Sequence, residues 1–394
     1  MLSIQNVEDI VQKSIPNLER ITYTIPTSGI GVVLDHLGDR GSTSTGCVEL
    51  ESIWEYFQNS EDAFKLLNTE RENAIHLVID TKRQPSALLH YDNAAGMDLD
   101  TLHRIPEQVG NSLKRDRDDQ KGKNATGALV WKNLGQKVAW LSRKEGHDTV
   151  IFVASRDNWY DEQGPTCYIG KAAKNIPEPG TYVLVSDLTP AAKELKLDKL
   201  RKYIGEEFRE WIEDEGAQIY ITVDGTKRQV EPVRLYGGRK IIDEAFCFNA
   251  EGKRYNAKIE IYLHPARKDR TISVRTKAKT AVSNLSSIPR LKDTVWTCDN
   301  ISGIIRCPDL PETRARSGLS MRSESVGVFF DTLVEKYTPL LESKVEQYNQ
   351  QLNAQTSKGL CLKVQQAIQY ALDEEIKQLA GGTYVVAKNG ERVD

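Results

Sequence analysis

Ala87-Leu88-Leu89-His90-Tyr91-Asp92-Asn93-Ala94-Ala95-Gly96-Met97 is the stretch on which the reading of this 394-residue chain turns. Its first five residues form a hydrophobic run that predicts a strand. The run stops at a carboxylate, followed by small residues and a glycine. Glycine lets a backbone approach a flat ligand closely. A carboxylate at a strand end can accept a hydrogen bond from an exocyclic amine, as one does from cytosine in DNA readout. Asp, Asn and Gly are also the residues of an ordinary turn, so the stretch has to be weighed with the segments around it.

Upstream, residues 49–67 predict a helix. Ile53, Phe57, Phe64 and Leu67 recur at helical spacing and make an apolar face. Glu55, Asn59 and Asp62 fall at i, i+4 and i+7 and share a second face, roughly opposite the first. A solvated polar face would show the same pattern. Downstream, Gly122-Lys123-Asn124-Ala125-Thr126-Gly127 leads into a helix predicted over 128–135 and ended by Gly135. A glycine-bearing loop at a helix start cradles phosphate, because free N–H groups and the helix dipole favour anions. The charged stretch from Lys114 to Lys121 reads as a lid or as a linker. Further on, Gly180-Thr181 opens a strand, Tyr182 to Ser186, followed by Asp187-Leu188.

In order and spacing these four segments resemble the GHKL (Bergerat-fold) ATPase superfamily, nearest its branch of ninety-kilodalton heat-shock chaperones, MutL mismatch-repair proteins and MORC proteins. The family's first box, Glu-x-x-x-Asn-x-x-Asp-Ala, is matched by Glu55, Asn59, Asp62 and Ala63. The second, Asp-x-Gly-x-Gly, is matched by Asp92, Gly96 and the following Met97, with Ala94 in place of a glycine. The third, Gly-x-x-Gly-x-Gly, is matched by Gly122 and Gly127, with Ala125 in place of a glycine. The fourth, a Gly-Thr before a strand, is matched by Gly180 and Thr181.

The resemblance implies a role for each position. Glu55 is the general base that activates water. Asn59 holds Mg²⁺, which bridges phosphate oxygens. Asp92 binds the adenine amino group, supported by Thr181. Asp62, Gly96 and Met97 complete the nucleotide site, and Gly122, Lys123 and Gly127 wrap the phosphates. The two alanines depart from the pattern. A β-carbon disfavours positive φ and crowds a ligand, which implies weaker nucleotide binding.

Beyond residue 190 the signals continue. A helix is predicted over 198–214, and Ile219 to Val223 with Asp224-Gly225 predicts a strand and a tight turn. Lys258 to Leu263, Thr271 to Val274 and Ile301 to Cys307 predict further strands. An α+β segment after the nucleotide domain resembles the family's transducer. Within it, Leu310-Pro311-Glu312-Thr313-Arg314-Ala315-Arg316-Ser317-Gly318-Leu319 is similar to the chaperone segment whose arginine reaches the γ-phosphate. Arg316 is the first choice for that sensor, with Arg314 and Arg322 as competitors. A guanidinium pairs with phosphate bidentately.

The expected fold class is therefore α+β: an N-terminal extension over 1–45, a Bergerat α/β sandwich over 46–190, a transducer over 191–325 and a helical region with a tail over 326–394. Two helices are expected in the last part, separated by a break near Thr356 to Gly359 and folded into a hairpin.

Composition narrows the partners. Hydrophobic content of 39% and charged content of 28% fit a globular protein, and a net charge of −3 argues against a strongly basic nucleic-acid clamp. Local basic clusters remain candidates for DNA contact: Lys227-Arg228, Arg239-Lys240 and Arg267-Lys268-Asp269-Arg270 with Arg275, Lys277 and Lys279. Six dispersed cysteines without a Cys-x-x-Cys pair argue against zinc or a disulfide framework. With no signal peptide or membrane-spanning run, the expected location is the cytoplasm. The expected function is a slow, Mg²⁺-dependent ATPase switch that homodimerises on ATP. It would act with a separate effector on DNA, in genome maintenance or defence. A chaperone acting on protein clients, and a nucleotide-binding subunit with little hydrolysis, are the alternatives.

Overall fold

The computed structural model describes residues 1–22, 47–67, 72–107, 130–159, 166–233, 238–266, 272–277, 280–312, 318–379, 385–386 and 392–393. They form a mixed α+β body with two sheets, followed by a long helical region.

The first sheet is built in chain order as follows. Helix α1 (Ile4–Ser14) leads into β1 (Glu19–Thr22), then α2 (Val48–Phe64), β2 (Ala74–Asp80) and β3 (Ala87–Asp92). Helices α3 (Leu99–Glu107) and α4 (Trp131–Leu134) precede β4 (Gly135–Arg143), β5 (Val150–Ser155), β6 (Thr166–Lys171) and β7 (Gly180–Leu188). Helices α5 (Leu197–Glu207) and α6 (Arg209–Glu213) are followed by β8 (Gln218–Val223) and β9 (Thr226–Gln229). The strand order is β1-β6-β5-β4-β7-β3-β2-β8-β9. Neighbours are antiparallel except β2 and β8.

Period-two alternation assigns the two faces. Ile75, Leu77 and Ile79 of β2, Leu88 of β3 and Val183 and Val185 of β7 face a core completed by α2 through Ile53, Trp54, Phe57 and Phe64. Leu200, Ile204, Phe208 and Trp211 of α5 and α6 join the same core. The opposite face buries Leu89, Tyr91, Tyr182 and Leu184 beneath Ile4, Val7, Ile10 and Val11 of α1. Ser3 caps α1, its hydroxyl accepting from the Asn6 N–H.

Residues 191–230, expected with the second domain, therefore belong to the first sheet and its core. Pairing decides this: Ala74 to Ile79 of β2 run beside Gln218 to Val223 of β8. The helix expected over 198–214 is interrupted at Phe208, whose backbone leaves the helical region so that both Phe208 and Trp211 reach the core. The helix expected over 49–67 ends at Phe64, and of that expected over 128–135 the described residues, from 130 on, form the single turn of α4.

The second sheet holds β10 (Arg239–Ala250), β11 (Lys253–Leu263), β12 (Ile272–Arg275), β13 (Thr280–Val282) and β14 (Ile301–Arg306), in the order β10-β11-β14-β12-β13. Its core pairs Phe246, Ile259 and Ile261 with Phe329, Phe330 and Leu333. Those last residues begin a helical run: α7 (Glu324–Thr332), a π-turn at Leu333–Tyr337 and α8 (Thr338–Leu379). The π-turn shifts the helix phase so that Tyr337, Leu341 and Val345 stay on the core.

The hairpin expected in this region does not form, because α8 runs through residues 356–359 without a break. A lone Gly359 costs a helix only about 1 kcal/mol relative to alanine, and its neighbours, Lys358, Leu360 and Leu362, favour helix. In the tail, Val385–Val386 pairs with Arg392–Val393. Among the described residues, no helix is long and apolar enough to cross a membrane.

The two sheets are tied through α5 and α6. The Arg275 guanidinium donates to the Glu206 carbonyl and pairs with the Glu207 carboxylate at 3.4 Å. The same carboxylate accepts from the Thr280 N–H at 3.2 Å. Arg306 pairs with Glu260 at 2.7 Å and with Glu210.

Candidate functional site

The site is built around the end of β3. Asp92 lies opposite Thr181 of β7, and Thr181 lies opposite Ser142 of β4. Two glycines bring these backbones together. At Gly96, φ is +65°, and a β-carbon would stand 2.0 Å from the Arg143 carbonyl oxygen. At Gly180, φ is +142°, and a β-carbon would stand 2.1 Å from the Asp92 carbonyl oxygen. Neither position can carry a side chain with this backbone. Packing of the protein on itself thus accounts for both glycines, whatever ligand they also admit.

Asp92 is 5% exposed, and its carboxylate is held from three sides. Ser60 of α2 donates to Oδ2 at 2.7 Å, and the Ala94 N–H donates to Oδ1 at 3.1 Å. The Thr181 backbone also contributes a hydrogen bond. Burial nevertheless dominates and pushes the carboxyl up to about 6, against those three hydrogen bonds, which lower it. Ala94 is fully buried and serves here through its backbone.

A hydroxyl network continues past Asp92. Ser142 Oγ and Thr181 Oγ1 are 2.9 Å apart, and Ser142 accepts from the Met97 N–H at 2.8 Å. Met97 is half-buried on the first core. On the other side of Ser60, its hydroxyl lies 2.9 Å from His90 Nε2. Ser60, His90 and Ser142 were not among the expected site residues. One signal was available for Ser60: it continues the stripe Ile53, Phe57, Phe64 at spacings of four and three, so it puts a hydroxyl on an apolar face. His90 and Ser142 become visible only once strand register is known.

The first box is split by its helix. Asn59 is exposed and Glu55 is half-buried. Glu55 lies near Tyr203 of α5, whose hydroxyl is pushed well up by burial and then by Glu207, Glu51 and Glu55. Asp62, by contrast, is buried, accepting from Gln58 Nε2 at 3.3 Å, and is not solvated as the polar-face pattern would have it. Ser60 and Asn59 are consecutive on α2, so their side chains leave the helix about 100° apart: the amide faces solvent while the hydroxyl is buried against Asp92. Glu55 is about 6 Å behind Asn59 along the axis at a rise of about 1.5 Å per residue.

Gly122, Lys123, Ala125 and Gly127 lie outside the described residues, as do Lys114 to Lys121. The described residue pair nearest their C-terminal side returns to α2, where Trp131 is buried in the core and Asn133 Nδ2 donates to Ser52 at 3.0 Å. Arg314 and Arg316 also lie outside the described residues, whereas Arg322 is exposed. The base of their segment is pinned: Thr276 donates to Glu312, Glu312 bridges Leu319, and the Ser320 N–H reaches the Pro311 carbonyl at 2.8 Å. Of the basic clusters, Arg267 to Arg270 and Lys279 lie outside the described residues. Arg275 is committed to Glu206 and Glu207.

Among the described residues there is no group of three or more His, Cys, Asp or Glu side chains placed to hold a metal. Mg²⁺ bound to substrate phosphates and waters needs no such cage, drawing on only one or two protein oxygens; Asn59 presents an exposed amide. A surface cleft of about 270 Å³ opens beside Asp98, Leu99, His147 and Lys171, and its lining does not include Glu55, Asn59 or Asp92. No protein-family model matches the chain, and a search of curated proteins finds no similar sequence.

Proposed function

We propose that this chain is a Mg²⁺-dependent ATP-binding switch of the GHKL type, with a Bergerat α/β sandwich and a transducer. The observation that carries the reading is the Asp92 cluster. Ser60 of α2 and the Ala94 and Thr181 backbones meet at one buried carboxylate at a strand end, and Ser142 joins the group through Thr181. An ionised carboxylate accepts only, so it suits an exocyclic amine. Its hydroxyl surroundings suit the remaining edge of a purine.

In this reading Asp92 and Thr181 hold adenine, Asn59 holds Mg²⁺, and Glu55 orients and deprotonates the attacking water. Gly122, Lys123 and Gly127 take the phosphates, and Arg316 senses the γ-phosphate. Bound metal would supply charge neutralisation at the phosphates. Support for a switch comes from Tyr203 and Glu207 on α5, which lie between the neighbourhood of Glu55 and the Arg275 link to the second sheet. Nucleotide shifts such an equilibrium only by contacting its two states unequally. Homodimerisation on ATP and action through an effector, on DNA or on a protein client, are the outputs this switch would drive.

The test is calorimetric titration of ATP with and without Mg²⁺, alongside a phosphate-release assay. Saturable ATP binding that Asp92→Ala abolishes is expected, with slow release of phosphate. Binding without release favours the low-hydrolysis alternative, to which Ala94 and Ala125 lend weight. Absence of ATP binding overturns the reading.

A further inference from the structure

His90 has no place in the roles assigned so far, yet it is 1% exposed and lies two residues before Asp92 on the same side of β3. Its ring packs against Phe57 and Tyr56, with centroids 5.0 and 5.7 Å away. Nε2 lies 2.9 Å from Ser60 Oγ, and Ser60 Oγ lies 2.7 Å from Asp92 Oδ2. Nδ1 is buried without a hydrogen-bond partner.

With Asp92 ionised, proton counting along this row allows one arrangement. An ionised Asp92 cannot donate, so the single Ser60 proton points to it. Ser60 can then only accept on its other side, so the His90 proton sits on Nε2. Nδ1 is left bare in an apolar wall, which costs less than stranding an N–H there. Burial and the neighbouring His76 hold the ring neutral, far below the usual histidine range.

We propose that His90 is a positioning residue for purine choice: acting through Ser60, it keeps Asp92 an acceptor and so selects a 6-amino purine over a 6-keto purine. Resting as it does on the proposed nucleotide reading, this adds which feature of the base is discriminated and by which side chain. Without the His90 donor, the Ser60 hydroxyl is free to turn. Turned away, it no longer donates to Asp92, and the carboxyl loses one of the hydrogen bonds that hold its charged form. The acid form then gains weight, and its single proton is donated to a keto oxygen. The penalty against the wrong base falls accordingly, because a site built to pair one polar group leaves it unpaired with the other.

The experiment compares equilibrium binding of ATP and of inosine triphosphate, each with Mg²⁺, at neutral pH. The chains are the wild type, His90→Phe, His90→Gln and Ser60→Ala, with thermal melts run alongside. Phe keeps the ring without its nitrogens, and Gln restores an N–H donor near the position of Nε2. The wild type is expected to prefer ATP. His90→Phe and Ser60→Ala should lower the ATP-to-inosine-triphosphate ratio by about tenfold, the scale of one hydrogen bond, and His90→Gln should restore it. A merely structural role would weaken both nucleotides together and leave the ratio alone. An unchanged ratio in His90→Phe and Ser60→Ala overturns the proposal while leaving the nucleotide reading standing. Should His90→Phe fail to fold, Ser60→Ala against His90→Gln decides by the same ratio. A wild type that binds neither nucleotide overturns the nucleotide reading itself.

Discussion

Gly180 and Asp92 approach so closely that a β-carbon on Gly180 would stand 2.1 Å from the Asp92 carbonyl oxygen. The contact fixes how β7 enters the sheet beside β3, and with it the position of Thr181 across from Asp92. Gly180→Ala must therefore move a backbone and also adopt a φ near +142°. Overpacking and backbone strain each cost about 1–3 kcal/mol. The expected loss is about 2–5 kcal/mol in urea unfolding, together with loss of ATP binding. Gly146→Ala is the control, since nothing lies within 4 Å of its β-carbon position and only φ strain applies. Equal unfolding midpoints for the two variants would show that the strand contact is not as described.

Asp92 sets a stability cost against its proposed use. Its carboxyl is pushed up to about 6 in the folded chain, from an ordinary 3.8, chiefly by burial. Between those values the folded chain holds a proton that the unfolded chain has lost. The group's favourable contribution is full below pH 3.8 and lost as pH rises through 6. Above that, the buried charge disfavours the fold by on the order of 3 kcal/mol. Asp92→Asn should accordingly raise the unfolding midpoint at pH 7, with the gain shrinking as pH falls from 6 towards 4, while ATP binding is lost. A gain independent of pH over that window would contradict the assignment.

Glu55 and Asn59 differ in exposure and should differ in effect. Glu55→Ala should bind ATP and release no phosphate, and unchanged turnover would remove it as the base. Asn59→Ala should lose the Mg²⁺-dependent part of ATP binding with its melting temperature within a degree or two of the parent, since surface changes typically stay within about 0.5 kcal/mol. Calorimetry showing full Mg²⁺-dependent affinity would dismiss the metal role.

The pair Arg275–Glu207 joins the two sheets with both side chains largely buried, 13% and 9% exposed. Removing one partner strands the other charge, which costs about 3–5 kcal/mol when burial is complete. Glu207→Ala also leaves the Thr280 N–H without this acceptor. Each single variant should lose on the order of 2–4 kcal/mol, and the double variant less than their sum. Additive losses in that double-mutant cycle would mean the two side chains do not act as a pair.

The continuity of α8 is open to a direct check. Proline inside a helix costs about 3 kcal/mol. Gly359→Pro should thus reduce far-ultraviolet helicity by disrupting residues on both sides of 359. A break already present near 356–359 would leave the helical signal unchanged.

Local pattern determined a good deal here. The strand ending at Asp92, the helix over α2, the strand opening at Gly180-Thr181 and the β8–β9 turn all follow from periodicity and turn chemistry. Those features depend on residues near one another in the chain, so one sequence displays them. Long-range pairing is different. That β8 runs beside β2, and so keeps residues 191–230 in the first core, is a choice among strand partners that no local signal encodes. The row from His90 through Ser60 to Asp92 likewise exists only because α2 crosses β3 at that point, and the register of β4 on β7 brings Ser142 to Thr181. Burial of Asp62 was decided the same way, by the packing around it, and α8 runs unbroken through residues 356–359. Side-chain spacing determines which faces a segment can offer, whereas tertiary contact decides which of them are desolvated, and desolvation is what gives Asp92 its chemistry.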